Sequence, residues 1–306
     1  MKTATVEVVA ARSPQPLPLD TRNRAIADFM ELVKARLTLL VLLTTAVGFY
    51  LGSSSPIRPA ALFNAVFGTA LAAAGAAALN QWWERRLDAL MLRTKSRPIP
   101  AGRMLPRDAM IAGGSLGLAG VIYLAVACNS LTALLAAATI IIYIFAYTPL
   151  KRISTTNTLV GAIPGALPPM IGWAAARGNA GWPAWSLFAI MFLWQMPHFF
   201  AIAWMYRDDY ARAGFRMLSG RDADGMRSGR QSVAFAIALL GASAQPAYLG
   251  LTSRSYLPLE VIPGALFVVL AVRFYRLRNA TSARQLFIGS IVYLPILLAA
   301  LVLSKS

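Results

Sequence analysis

Ala72-Ala73-Ala74-Gly75-Ala76-Ala77-Ala78-Leu79-Asn80-Gln81-Trp82-Trp83-Glu84-Arg85-Arg86-Leu87-Asp88 passes from a block of small apolar residues straight into a polar and charged row. The first part reads as the interior of a membrane helix, because small side chains let neighbouring helices approach closely. The second part reads as the end of the same helix. Asn80, Glu84 and Asp88 stand at i, i+4 and i+8, so they share one face, each about 6 Å further along the axis. All three offer oxygen, the ligand that hard cations such as Mg²⁺ take while bridging to substrate phosphates. Carboxylates at a membrane helix end are costly unless paired or metal-bound. A solvated helix end, salt-bridged to Arg85 and Arg86, is the other reading of the same row.

The rest of the chain repeats the apolar half of this pattern. Of 306 residues, 58% are hydrophobic and 13% charged, and the mean hydropathy is +0.58. A soluble domain carries roughly twice that charge. Candidate spans, each near the ~20 residues a helix needs to cross a bilayer, fall near 31–51, 60–82, 108–128, 131–148, 157–176, 184–205, 231–250, 256–275 and 285–303. Pro164, Pro168 and Pro169 predict a kink in the fifth. The first 25 residues are polar and basic and lack the apolar core of a signal peptide. Glu7 and Asp20 argue against a transit peptide, and the reading is a short disordered cytoplasmic tail ahead of one membrane unit over 26–306.

The net charge of +17 would suggest a nucleic-acid partner in a soluble protein. Here its distribution follows the positive-inside rule. With the N-terminus inside, all 29 basic residues fall in inner segments except Arg58, Arg177, Arg254 and Lys305. A miscounted span would scramble that alternation. The expectation is therefore an all-α polytopic membrane protein with nine transmembrane helices, N-inside and C-outside, and no nucleic-acid role. The single cysteine, Cys128, rules out an internal disulfide or a Cys-rich metal site.

Three further clusters carry chemistry. Arg93, Lys95 and Arg97 follow Asp88, and a cationic segment beside a carboxylate row suits a metal-bound diphosphate; inner loops are also basic for topological reasons alone. Asp208-Asp209, after the sixth span, falls on the same side as Asn80–Asp88, so carboxylates from two helices can face one diphosphate. Asp222 and Asp224 read as a hydrophilic loop. Trp194-Gln195-Met196-Pro197-His198-Phe199-Phe200 lies inside the sixth span and holds the only histidine. His198 sits about 15 Å of helix rise before Asp208. A polar residue in a span is a functional candidate; this one suits haem ligation, acceptor orientation, proton transfer or an interhelical hydrogen bond.

Together these motifs resemble the intramembrane UbiA-type prenyltransferase superfamily, and most closely its protohaem IX farnesyltransferase (haem O synthase) branch. The residues that carry the resemblance are Asn80-Gln81-Trp82-Trp83-Glu84, Asp88, Met91, Arg93-Thr94, Arg97-Pro98-Ile99, Trp194-Gln195, Pro197-His198-Phe199 and Asp209-Tyr210 with Ala213-Gly214. Tyr147-Thr148-Pro149-Leu150-Lys151-Arg152 and Asn157 before Gly161…Pro164-Gly165-Ala166 look like the family too. Quinone-type members usually have Asp where Gln81 and Glu84 stand; the haem branch carries this variant. Arg212 falls where the second motif would have a further acid.

The resemblance implies nine helices around a central cavity, in a bacterial inner membrane, with the active site toward the cytoplasm. It implies farnesyl transfer from farnesyl diphosphate to a vinyl group of haem B, with water addition, giving haem O for a terminal oxidase, with haem A synthase or the oxidase as partner. Asn80, Glu84, Asp88, Asp208 and Asp209 would hold Mg²⁺; Arg93, Lys95, Arg97, Lys151 and Arg152 the diphosphate; Tyr147, Trp194 and Gln195 the substrates; His198 the haem. An aromatic-acceptor prenyltransferase is one alternative. A cation-dependent transporter is another, against which stands the position of the acids at the inner boundary rather than the midplane.

Overall fold

The computed structural model describes residues 21–54 and 56–306. The expected tail over 1–20 lies outside them; residues 21–25 open helix α1, Thr21–Leu32. Arg103 fastens that helix to the bundle, pairing with Asp28 at 2.8 Å and Glu31 at 3.4 Å. Lys34 then breaks the chain in the left-handed region (φ 49°, ψ 50°) before α2, Ala35–Gly52. A non-glycine residue pays for that conformation, and its side chain is directed into the site described below.

Helix α3, Pro59–Asp88, is the longest element. It packs on α4, Pro106–Ala127. A methyl on Gly75 would strike the backbone of Gly113 and Gly117, so glycine permits the approach. Asn129 turns the chain: its Oδ1 accepts from the Thr132 amide at 2.9 Å and its Nδ2 donates to the Ala174 carbonyl at 2.8 Å. Helix α5, Ser130–Ile141, runs on through a π-helical segment, Ile142–Tyr147, into the short α6, Thr148–Leu150. The prolines act as expected. Helix α7, Asn157–Ala166, gives way at Leu167 to α8, Pro168–Arg177. Gly172 of α8 sits against the Thr45 carbonyl of α2, where a side chain has no room.

Helix α9, Trp182–Met205, and the short α10, Arg207–Arg212, follow. The last three are α11, Met226–Tyr248, α12, Tyr256–Leu277, and α13, Ala280–Leu303. The main core lies among α2, α8, α9, α12 and α13 and includes Trp173, Trp194, Trp204, Phe267, Phe274 and Tyr293. Large apolar side chains such as Leu118, Val126, Ile262 and Leu266 point outward, as a lipid-facing surface requires.

Among the described residues, eight helical stretches are long and apolar enough to cross a membrane. The expected seventh span, 231–250, is a full-length helix too. It begins earlier, at Met226, and Arg227, Arg230 and Gln231 in its first turns lower its apolarity. The chain is a multi-pass, all-helical membrane protein.

Candidate active site

One face of α3 ends in three buried oxygen-bearing side chains, Asn80, Glu84 and Asp88. Each meets a cation. Lys34 Nζ donates to Asn80 Oδ1 at 2.7 Å. Lys151 Nζ donates to both Glu84 oxygens at 2.7 and 2.9 Å. Arg97 Nη1 donates to Asp88 Oδ2 at 2.7 Å. Asp88 is 1% exposed and its Oδ1 has no protein partner. Arg85 and Arg86 are not the partners of this row: Arg85 turns back to the Trp82 carbonyl at 2.7 Å and lies over the Trp82 ring. Gln81, one residue off the face, donates to the Glu31 and Leu32 carbonyls at 2.8 Å each. It satisfies the end of α1.

Three cations against two carboxylates leave local positive charge. Its effect shows at Lys34, where burial first, and the charges of Arg97 and Lys151 next, pull the ammonium down to about 7 against the opposing pull of Glu84 and Asp88. At Lys151 burial acts the same way, but the Glu84 carboxylate outweighs it and holds the ammonium above its ordinary range. The π-helical segment brings Tyr143 and Tyr147 to the site. Tyr143 donates to Asn80 Oδ1 at 3.4 Å, and the Tyr147 ring lies 4.5 Å from Lys151 Nζ. Thr148 Oγ1 accepts from Asn80 Nδ2 at 3.2 Å.

The second acidic pair divides. Asp209 is drawn to the segment after α3, accepting from the Leu92 and Arg93 amides at 2.9 and 3.2 Å and from Arg212 at 2.9 Å. Burial alone would raise its carboxyl; those two amides, with the Arg212 and Arg93 guanidinium groups, outweigh it and hold it below the usual carboxylate range. Arg212, unhelpful as a replacement for an acid, is thus the counter-ion of Asp209. Asp208 points to solvent, its side chain 90% exposed, with Arg207 at 3.8 Å. Arg93 lies over the Tyr206 and Tyr210 rings. Lys95 and Arg152 are exposed beside this cluster. Asp222 caps α11 through the Arg227 and Ser228 amides at 3.1 and 2.7 Å.

The histidine motif lies deeper along α9. Gln195 Nε2 donates to the Met191 carbonyl at 2.9 Å, and its Oε1 fills the space that Gly165 leaves open. Trp194 Nε1 donates to the Ser290 carbonyl of α13 at 2.9 Å. His198 Nδ1 lies 2.7 Å from Ser290 Oγ, with its ring stacked on Trp194.

Residues 41–297 match the UbiA prenyltransferase family. The chain belongs to the UbiA prenyltransferase family. Among curated relatives, this UbiA member is 43% identical to the protoheme IX farnesyltransferase of Solibacter usitatus, over 91% of this chain and 98% of the relative. It is 40% identical to the protein of the same name from Koribacter versatilis, over 95% and 98%. Its fold matches a digeranylgeranylglyceryl phosphate synthase structure with a TM-score of 0.77 at 16% identity, covering 92% of this chain and 98% of that one. It also matches a UbiA homolog from Archaeoglobus fulgidus bound to DMAPP and Mg²⁺, with a TM-score of 0.65 at 15% identity over 90% and 99%.

The oxygen donors of this UbiA member fit a divalent metal. Among the described residues no three Asp, Glu, His or Cys side chains gather in one place. Mg²⁺ needs no such cage, since it is held by one or two carboxylates and completes its shell with water and substrate phosphate. Glu84, Asp88 and Asn80 are oxygen donors of the kind such a set uses, and Asp88 Oδ1 is buried without a partner. Sequence reasoning missed Lys34, Tyr143 and Thr148. Only the position of Lys34 at the mouth of the first span pointed to it, and basic residues are common there.

Proposed function

We propose that the chain transfers a farnesyl group from farnesyl diphosphate to a vinyl group of haem B, with addition of water, giving haem O and diphosphate. The observation that carries this reading is the buried Asn80–Glu84–Asp88 row enmeshed with Lys34, Lys151 and Arg97 at one end of a membrane bundle. Such a site suits a metal-bound prenyl diphosphate, and the relatives of matching length carry the haem-farnesylating name.

A Mg²⁺ ion held at this site would supply charge neutralisation for the leaving diphosphate. Glu84, Asp88 and Asn80 would hold it, and Asp209 anchors the segment over Leu92 and Arg93 beside them. Asp208, on the solvent side of the same short helix as Asp209, would be the outermost oxygen donor of the set. Lys34, Lys151 and Arg97 exchange their present partners for diphosphate oxygens, and Arg93, Lys95 and Arg152 line the entrance. This preorganised positive charge favours breaking the C1–O bond of the farnesyl group. The vinyl terminal carbon bonds to C1, and the carbon beside the porphyrin takes the oxygen of a water, which releases its proton. Tyr143 and Tyr147, stacked at 5.5 Å, form the aromatic wall beside the lysines of the site. Trp194, Gln195 and His198 serve the haem side.

We place this site on the cytoplasmic side of a bacterial inner membrane, in a chain with nine transmembrane helices, the N-terminus inside and the C-terminus outside. The basic residues crowd the end that holds Asp88. The product passes to haem A synthase or a terminal oxidase. The test is purified protein with haem B, farnesyl diphosphate and Mg²⁺, with the haem product read by mass. The expected product is heavier by one farnesyl group plus one hydroxyl group. Prenylation of an aromatic acceptor with no haem product would overturn the haem assignment and keep the family.

A further inference from the structure

Ser290 of α13 is fully buried, and its side chain has two neighbours. Its Oγ lies 2.5 Å from the Phe287 carbonyl oxygen and 2.7 Å from His198 Nδ1. Two oxygens that close must share a proton, since lone pairs facing each other at that distance repel. A serine hydroxyl has one proton. With that proton given to Phe287, Oγ can only accept from His198, so Nδ1 carries a hydrogen, and in the neutral ring Nε2 keeps its lone pair.

The ring is held in this attitude on its faces as well. Trp194 stacks at 5.3 Å and 25°, and Phe287 lies at 4.9 Å and 32°. His198 itself is only partly buried, and among the described residues Nε2 has no hydrogen-bond partner. A neutral imidazole with Nδ1–H committed to an oxygen and Nε2 free is how protein histidines are prepared to bind a metal.

We infer that Ser290 is a positioning residue that fixes the tautomer and aim of His198, so that Nε2 is presented as an axial ligand to the iron of the haem substrate. This rests on the haem-farnesylating reading above. An interhelical clamp is the bland account of the same contact. The Trp194 bond to the Ser290 backbone carbonyl already supplies that clamp, and Ser290→Ala leaves it in place.

The experiment adds ferrous haem B to the purified full-length protein and follows its affinity and the iron–histidine stretching band by resonance Raman. The wild type is expected to show the band, and His198→Ala to lose it. Ser290→Ala should shift the band to lower frequency and weaken haem binding by about tenfold. Ser290→Thr, which keeps the hydroxyl, should restore both. A wild type with no band, or a band retained in His198→Ala, would overturn ligation by His198. A band lost in His198→Ala but unmoved in Ser290→Ala would overturn the role of Ser290 alone. Farnesylation measured separately by product mass distinguishes either failure from failure of the haem reaction.

Discussion

The bundle buries carboxylates at both ends and treats them in opposite ways. At one end Glu84 and Asp88 lie against Lys151 and Arg97 at 2.7 Å. Toward the other end Glu260 is 0% exposed, and neither of its oxygens has a partner. The hydroxyls nearby are bonded elsewhere: Tyr256 donates to the Ser243 carbonyl at 2.9 Å, and Ser243 Oγ and Tyr293 Oη are 3.2 Å apart. A buried carboxyl with neither a cation nor a donor beside it has no partner to exchange. A carboxylate beside an ammonium or guanidinium group is a charge whose partner can be exchanged. The first arrangement offers no counter-ion to exchange, and the second is the one we propose takes a metal and an anion.

Substitutions at the two ends should separate sharply. The largest effect is expected from Glu84→Gln, which keeps the shape and removes the charge: haem product formation should fall by about 1,000-fold or more, as for loss of a central electrostatic group, while the folded protein still accumulates. Lys151→Ala should come next. It strands Glu84 in a buried position, and breaking such a pair costs about 3 kcal/mol, readable as reduced resistance to denaturant in detergent. Glu260→Gln should do least. A neutral isostere replaces a carboxyl that holds no partner, so activity should stay within about twofold and stability should be unchanged or higher by about 1 kcal/mol. A Glu260→Gln variant as dead as Glu84→Gln would erase the contrast between the ends.

Legibility in the sequence followed the same contrast. The α3 row was readable because its three oxygen donors repeat at helical spacing and sit where an apolar run ends. The separation of α7 from α8 was readable because Pro164, Pro168 and Pro169 break a helix by known sterics. The partners of the row were not. Arg97 and Lys151 stood among the candidate diphosphate holders, yet nothing in their spacing says that each closes on a particular carboxylate. Lys34 looked like one more inner cation. The π-helical segment over Ile142–Tyr147 has no composition of its own, so the placing of Tyr143 against Asn80 emerges only from packing. Ser290 is a lone serine in an apolar span, and its meaning depends on His198, 92 positions earlier. For Asp208 and Asp209 the sequence offers two adjacent acids, and adjacency on a short helix sends one inward and one to solvent.

The most direct test of the exchangeable site is the binding of a non-reactive farnesyl thiodiphosphate to the purified wild type, measured by calorimetry with Mg²⁺ present and with the metal chelated. If Glu84, Asp88 and Asn80 hold a metal that bridges to diphosphate, binding should appear with Mg²⁺ and vanish on chelation. Equal affinity in both conditions would mean that Lys34, Lys151 and Arg97 alone hold the diphosphate, and would contradict the account.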